Sequence, residues 1–404
     1  MKGKTLVFSL VFFSIHCQGK ILDSCSIDSY FRSTNEYKQY RLEEKANQLR
    51  DKENDLSLLP SIYLGTGQYT SNHSSFQEIT DSSLHLSVYS NIYSGNTYGK
   101  TKERLKIERE ISKISVHEKR NVFMINLFKA LLELKHLKDQ LIVYDKLMPY
   151  QDNISQKAEI DYANGNISEM DLSISNLKKE KFKNVMIKLG HDIKLKKEQI
   201  YIDFNIPEDV IDNIELHDFL SCKSATSVSL LKKKYIEKDK EIKMDNEISK
   251  ASTMPSVSLS LSMNPPGNGS IRDVNLRNAD YTISVDVNIP LSSVFLSGII
   301  DQKSYIDSSI SYLKRDDELK SIKKIKLDLL NKISTTNDEL IYLSKDAEIK
   351  KRRFDYIFSR YQRKEDTIQS LYSQFEQYIS SEIDLKKMEN EFEYYKVYLS
   401  FVDD

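Results

Sequence analysis

The stretch Ser94-Gly95-Asn96-Thr97-Tyr98-Gly99-Lys100-Thr101 comes nearest to a ligand-binding motif in this 404-residue chain. Two glycines followed by Lys-Thr, set between a strand pattern and a helix pattern, are the parts of a phosphate-cradling loop, in which backbone N–H groups and a lysine neutralise the anion. The spacing misses by one residue, because G-x-x-x-x-G-K-T needs glycine at 94. The run before it alternates polar and apolar residues instead of reading as the buried strand of a parallel sheet. The stretch is therefore read as a tight strand-to-helix turn. The seven histidines are scattered, with no His-x-x-x-His or Cys-x-x-Cys pair to hold zinc. The carboxylate pairs Glu43-Glu44 and Asp316-Asp317, and the lysine groups Lys178-Lys179 and Lys232-Lys233-Lys234, lie in charge-rich helical stretches and read as solvated faces. No catalytic constellation and no cofactor is expected.

Composition points away from one large core. Only 39% of the residues are apolar and 29% are charged, which is lean for globular domains of this length. With 59 basic and 60 acidic residues the formal charge is −1, so nothing draws the chain to nucleic acid. Glycine (11) and proline (7) are scarce, which favours long helices over many turns. Lys2 and Lys4 precede the apolar run Thr5 to Ile15, the layout of a secretory signal, with cleavage expected after Gly19. Cys17 is a weak candidate for lipidation, since His16 stands where a small residue is normally needed. Cys25 and Cys222 could pair in an oxidising compartment or remain thiols. Past the signal no apolar run of about 18 residues occurs, so any membrane crossing falls to β-strands.

Such strands are present, and duplicated. Leu59-Pro60-Ser61-Ile62-Tyr63-Leu64 opens one hairpin and Ser87-Val88-Tyr89-Ser90-Asn91-Ile92 lies in its return strand. Roughly 196 positions on, Met254-Pro255-Ser256-Val257-Ser258-Leu259 and Ser284-Val285-Asp286-Val287-Asn288-Ile289 repeat both phrases. All four strands alternate apolar and polar residues. Polar tips, Asn72 to Ser83 and the loop containing Pro265-Pro266-Gly267-Asn268-Gly269, join the strands. Tyr63, Tyr69, Tyr89, Tyr93 and Tyr281 sit near strand ends, where interfacial belts or cross-strand packing would use them. Four strands leave two open edges, which hydrocarbon does not tolerate, and the smallest membrane barrels have about eight strands. A membrane-spanning protomer must share its barrel with copies of itself.

Helical patterns flank each hairpin. One runs from Ile27 to about Leu56. After the first hairpin a rod from Gly99 carries Leu127, Leu131, Leu134, Leu137, Leu141, Tyr144 and Met148 at steps of three and four, with a kink expected at Pro149. It turns at Tyr162-Ala163-Asn164-Gly165-Asn166-Ile167-Ser168 and returns to Leu189, where Gly190 is expected to stop it. After the second hairpin a rod from Gly298 carries Ile322, Ile325, Leu329, Ile333, Leu340, Leu343 and Ala347, then turns near Tyr361 to Ile368. The division is 1–19 signal peptide, 20–190 first repeat (hairpin 61–93, helical hairpin 99–190), 191–225 equatorial linker, and 226–404 second repeat (hairpin 256–290, helical hairpin 298–404).

In this order of elements the chain resembles the TolC family of outer-membrane factors over essentially its whole mature length. The most specific pieces are the junctions Asn91-Ile92-Tyr93-Ser94-Gly95 and Asn288-Ile289-Pro290-Leu291, and the turn Tyr162-Ala163-Asn164-Gly165-Asn166-Ile167. The resemblance implies a mixed α+β membrane protein. Three copies would close a twelve-stranded β-barrel in the outer membrane of a Gram-negative bacterium, above an α-helical coiled-coil tunnel crossing the periplasm. It implies a passive exit duct, not an enzyme, serving a tripartite efflux pump or a type I secretion system. The partners would be a periplasmic adaptor protein, an inner-membrane transporter and outer-membrane lipid. Adaptor docking would fall on the turn residues Tyr162, Asn164, Gly165, Asn166 and Ile167, and on Tyr361, Lys364, Thr367 and Ile368. Some members constrict the closed tip with acidic residues just after the second turn. The corresponding positions here are Ser370 and Ser373, with Glu365 and Asp366 near enough to substitute. Lys364 departs from the pattern, since the repeat and the family would place glycine there. The competing reading is a soluble periplasmic coiled-coil scaffold with two decorative hairpins and no channel activity.

Overall fold

The computed structural model describes Cys25 and residues 27–66, 84–214, 218, 219, 222, 223, 225–264, 277, 280–291 and 293–403. The signal peptide, Cys17, Tyr69, the tip Asn72 to Ser83 and the Pro265 to Gly269 loop lie outside them.

The first helical pattern is two helices. Thr34 is extended (φ −69°, ψ 158°) and its hydroxyl accepts from the Tyr37 amide, ending α1 (Asp28–Ser33) and capping α2 (Asn35–Leu56). Pro60 then leads into β1 (Ser61–Thr66), which pairs antiparallel with β2 (Leu84–Ser94). The first rod, α3, runs unbroken from Thr97 to Ala163, 67 residues or about 100 Å. Pro149 lies inside this helix, which continues past it with Leu147, Gln151 and Ile154 buried on either side. The return helix α4 (Glu169–Phe204) likewise passes through Gly190, contrary to expectation. A helical glycine costs about 1 kcal/mol, and burial of Leu189 and Ile200 on the same helix outweighs it. The helix ends where Asn205 adopts φ 54°, two residues before Pro207. The linker expected from 191 is thus helical as far as Phe204, and continues through the short α5 (Glu208–Ile211). Thr226 caps α6 (Ser227–Ala251), which leads to β3 (Ser256–Asn264) and β4 (Asp280–Asn288). The second rod, α7 (Ser293–Gln362, 70 residues), starts five residues before Gly298, and α8 (Ile368–Val402) returns from it.

Two cores hold the helices. The first gathers Ile27, Leu127, Phe128, Ile200, Phe204, Phe219 and Phe401, so residues from α3, α4, the connector and α8 meet at mid-length. Cys25 and Cys222, 197 residues apart, form a disulfide there. Such a long loop constrains the unfolded chain by about 5 kcal/mol in the chain-entropy model. Arg120 reinforces it from α3: its Nε donates to Asp28 Oδ1 at 2.7 Å and its Nη2 to the Cys222 carbonyl at 2.7 Å. Because both charges are buried, losing one partner would strand the other. The second core lies at the turn end of the four long helices. There Val143, Leu147, Ile154, Phe182, Phe354, Leu371, Phe375 and Tyr378 pack together, with Phe182 stacked on Phe375 and Phe354 tilted against Phe375.

At the other end the two hairpins merge into one antiparallel sheet ordered β1-β2-β3-β4. Its register sorts the side chains by face. Ile62, Val88, Leu261 and Ile283 form one rung and Leu64, Leu86, Met263 and Tyr281 the next, followed by Leu259 with Val285 and Val257 with Val287. The opposite face carries Ser61, Tyr89, Ser260 and Ser284, then Tyr63, Ser87, Ser262 and Thr282, then Asn91, Ser258 and Asp286. A bulge between Asn91 and Tyr93 makes Ile92 the extra residue and puts Tyr93 opposite Val257. Of the strand-end tyrosines, Tyr93 and Tyr281 therefore share the apolar face, whereas Tyr63 and Tyr89 lie on the polar one. The apolar face is bare: Ile62 is 70% exposed and Ile283 64%.

Candidate functional site

The former phosphate-loop candidate is a hinge between sheet and rod. Gly95 (φ 63°) and Asn96 (φ 60°) are both left-handed, and a Cβ on Gly95 would lie 2.7 Å from the Ala251 carbonyl oxygen. Lys100 Nζ donates to the Glu247 carbonyl at 3.3 Å, so it ties α3 to α6. Lys178, Lys179 and Lys234 are likewise spent on ion pairs with Glu376, Asp152 and Glu118 of neighbouring helices. Among the described residues no group of three or more His, Cys, Asp or Glu could hold a metal.

The turns at the far end are built alike. At the first, the Gly165 amide donates to the Tyr162 carbonyl (2.9 Å) and the Asn166 amide to the Asp161 carbonyl (2.7 Å). At the second, the Lys364 amide donates to Tyr361 (3.0 Å) and the Glu365 amide to Arg360 (3.0 Å). Both are the paired closing bonds of a helix end whose next residue is left-handed, Gly165 at φ 69° and Lys364 at φ 63°. Lys364 thus adopts the glycine geometry, at a cost of about 1–2 kcal/mol for a side chain there. Ser168 and Thr367 cap the return helices through the amides of Asp171 and Ser370. Only the first cap is reciprocal: the Ser168 amide donates to Asp171 Oδ2, and hydrogen bonds from Ser168 hold the Asp171 carboxyl below its usual range.

The turn residues divide by burial. Tyr162, Asn164, Gly165 and Asn166, with Lys364 and Thr367, are exposed, and Ile167 is half-buried against the tip core. Tyr361 and Ile368 are core residues, 3% and 2% exposed. Their apolar bodies close the end of the second core. Burial, with Asp161 nearby, pushes the Tyr361 hydroxyl up to about 12.

The constriction candidates are not equivalent either. Glu365 and Asp366 are bracketed by arginines: Arg360 Nε lies 3.8 Å from Glu365 and 3.9 Å from Asp366, and Arg363 Nη2 lies 3.5 Å from Glu365. The Ser370 amide donates to the Thr367 hydroxyl, and Ser373 is exposed. Beneath the turns a buried polar cluster ties the two helical hairpins together. Gln151 Nε2 donates to Tyr372 Oη (3.1 Å) and Ser155 Oγ (3.2 Å), and Ser175 Oγ shares the Tyr372 hydroxyl at 3.0 Å. Sequence reading passed over these residues. The available signal was Gln151 and Ser155, spaced i, i+4 on the stripe of Leu147, Ile154 and Ala158.

No family model and no curated protein matches this sequence. Solved structures do, over nearly its full length. The outer-membrane channel OprN superposes with a TM-score of 0.71 at 10% identity, covering 92% of this chain and 87% of its own. VceC, an outer-membrane protein of Vibrio cholerae, gives 0.70 at 12% identity and 93% of each chain. The CmeC outer-membrane channel of Campylobacter jejuni gives 0.69 at 12% identity, covering 93% of this chain and 84% of its own. Over that length the chain therefore has the fold of these solved outer-membrane proteins.

Proposed function

We propose that this chain is the outer-membrane exit duct of an efflux pump or type I secretion system, working as a trimer. One observation carries the reading: a four-stranded sheet with two open edges whose paired Ile, Leu, Val and Met side chains share one face, strongly exposed on the edge strands. At about 4.8 Å between strands and 3.3 Å per residue, that face is roughly 600 Å². Soluble monomers rarely expose so large an apolar patch. Lipid on that face and neighbouring copies at the edges resolve both problems, because a closed barrel has no edge. No described helix is long and apolar enough to cross a membrane, so the crossing rests on the strands. The scaffold reading would leave the patch in water.

In this reading the rods form the periplasmic tunnel and the duct has no energy source of its own. An inner-membrane transporter supplies the work, and a periplasmic adaptor docks at the exposed turn residues Tyr162, Asn164, Gly165, Asn166, Lys364 and Thr367. The fold match to proteins described as outer-membrane channels supports the role. Purified full-length chain should form discrete conductances in planar bilayers and fractionate with the outer membrane. A soluble, non-conducting protein would overturn the proposal.

A further inference from the structure

We propose that Asp286 gives the barrel a preference for cations over anions, an inference that rests on the duct reading above. The four strands contain no Lys or Arg, and their ionisable side chains other than tyrosine are His85, Asp280 and Asp286. The register puts all three on the polar face, where His85 is opposite Gly65, Asp280 opposite Asn264, and Asp286 opposite Ser258. His85 and Asp280 stand at the loop end of the sheet, Asp280 three positions after Arg277. Asp286 stands near the helical end among hydroxyls. Ser284 Oγ donates to its Oδ2 at 3.0 Å, and Ser260 Oγ lies 2.6 Å from Ser284 Oγ. Serine and asparagine fill the neighbouring polar positions, so no cation faces this carboxylate from β2 or β3.

Barrel closure would not supply one. β4 is an edge strand, and the strand that meets it in a ring of identical copies is β1 of the next copy, Ser-Ile-Tyr-Leu-Gly-Thr, which carries no charge. Among the described strand residues, three copies therefore place three carboxylates, with no strand Lys or Arg facing them, at one level of a polar face rich in hydroxyls. Mobile ions screen such a ring over about 10 Å at 0.1 M salt and about 3 Å at 1 M. At low salt the ring concentrates cations and repels anions; at high salt its reach shrinks to the wall. The cargo class it favours is polar, neutral or cationic.

The test is the reversal potential of the full-length protein in planar bilayers under KCl gradients centred near 0.1 M and near 1 M. Asp286→Asn should lower the potassium-to-chloride permeability ratio by about twofold at the lower salt. Asp286→Lys should lower it further, and both differences should shrink at the higher salt. Asp280→Asn, at the loop end of the sheet, should change it less. The tip charges are the same in every variant, so the difference reports the ring. An Asp286→Asn channel whose reversal potential at 0.1 M matches wild type overturns the inference. Absence of any wild-type conductance overturns the duct reading itself, and the inference with it.

Discussion

Along the first rod, α2, α4, α6 and α8 all lie against α3, and Leu105, Ile107, Met124, Leu127, Phe128, Leu131, Leu132, Leu134, Val143, Leu147, Ile154 and Ala158 are buried. Along the second rod most contacts come from α6 and α8 alone, and its buried apolar residues are Leu329, Ala347, Phe354 and Tyr361. Phe295, Ile299, Tyr305, Leu313, Leu327, Tyr342 and Ile349 stand out into solvent instead, Phe295 at 79% and Tyr305 at 76%. Similar sequence patterns thus have different fates. α3 is the centre of the protomer's own packing, whereas α7 carries an apolar stripe that the protomer does not cover. In a ring of copies that stripe would be the seam.

The comparison breaks down at the tip, where Phe354 of the second rod is buried against Tyr150 of the first and Phe375 of α8. Phe354→Ala should cost about 3–5 kcal/mol of protomer stability, read from denaturant unfolding. Farther up the same rod, Tyr305→Glu and Tyr342→Glu should shift unfolding by no more than about 0.5 kcal/mol while abolishing the oligomer on size-exclusion chromatography. Equal destabilisation at all three positions would mean the stripe is not a seam. The smallest effect separates the two turns. Lys364→Gly should stabilise the second turn by about 1 kcal/mol or less, and Gly165→Lys should weaken the first by about the same amount. Amide exchange at the tip would show these as opposite changes in protection.

Much of the architecture was legible because its signals are local. Alternation marked all four strands, steps of three and four marked the rods, and Asn-Gly with Ser168 marked the first turn. Where long-range packing decided, local signals misled. Gly190 read as a helix stop, yet buried neighbours carry α4 through it. Thr34 read as mid-helix, but its hydroxyl caps α2. Cys25 and Cys222 are paired by the fold's mid-length core, which no sequence spacing reveals. At the candidate site the turns themselves were visible, but not the inward direction of Tyr361 and Ile368 or the Gln151–Tyr372 link, since each depends on a helix far away in the chain. The register that places Asp286 and the bulge at Ile92 also needed the sheet.

The most direct test of the account is covalent capture of the sheet edges. Tyr63→Cys on β1 would be combined in turn with Thr282→Cys, Ser284→Cys or Asp286→Cys on β4, all on the polar face. The protein would be oxidised in membranes and run on denaturing gels without reductant. A closed ring of three predicts a ladder that stops at the covalent trimer for at least one pairing. Monomer alone in every pairing, or a ladder continuing past three, would contradict it.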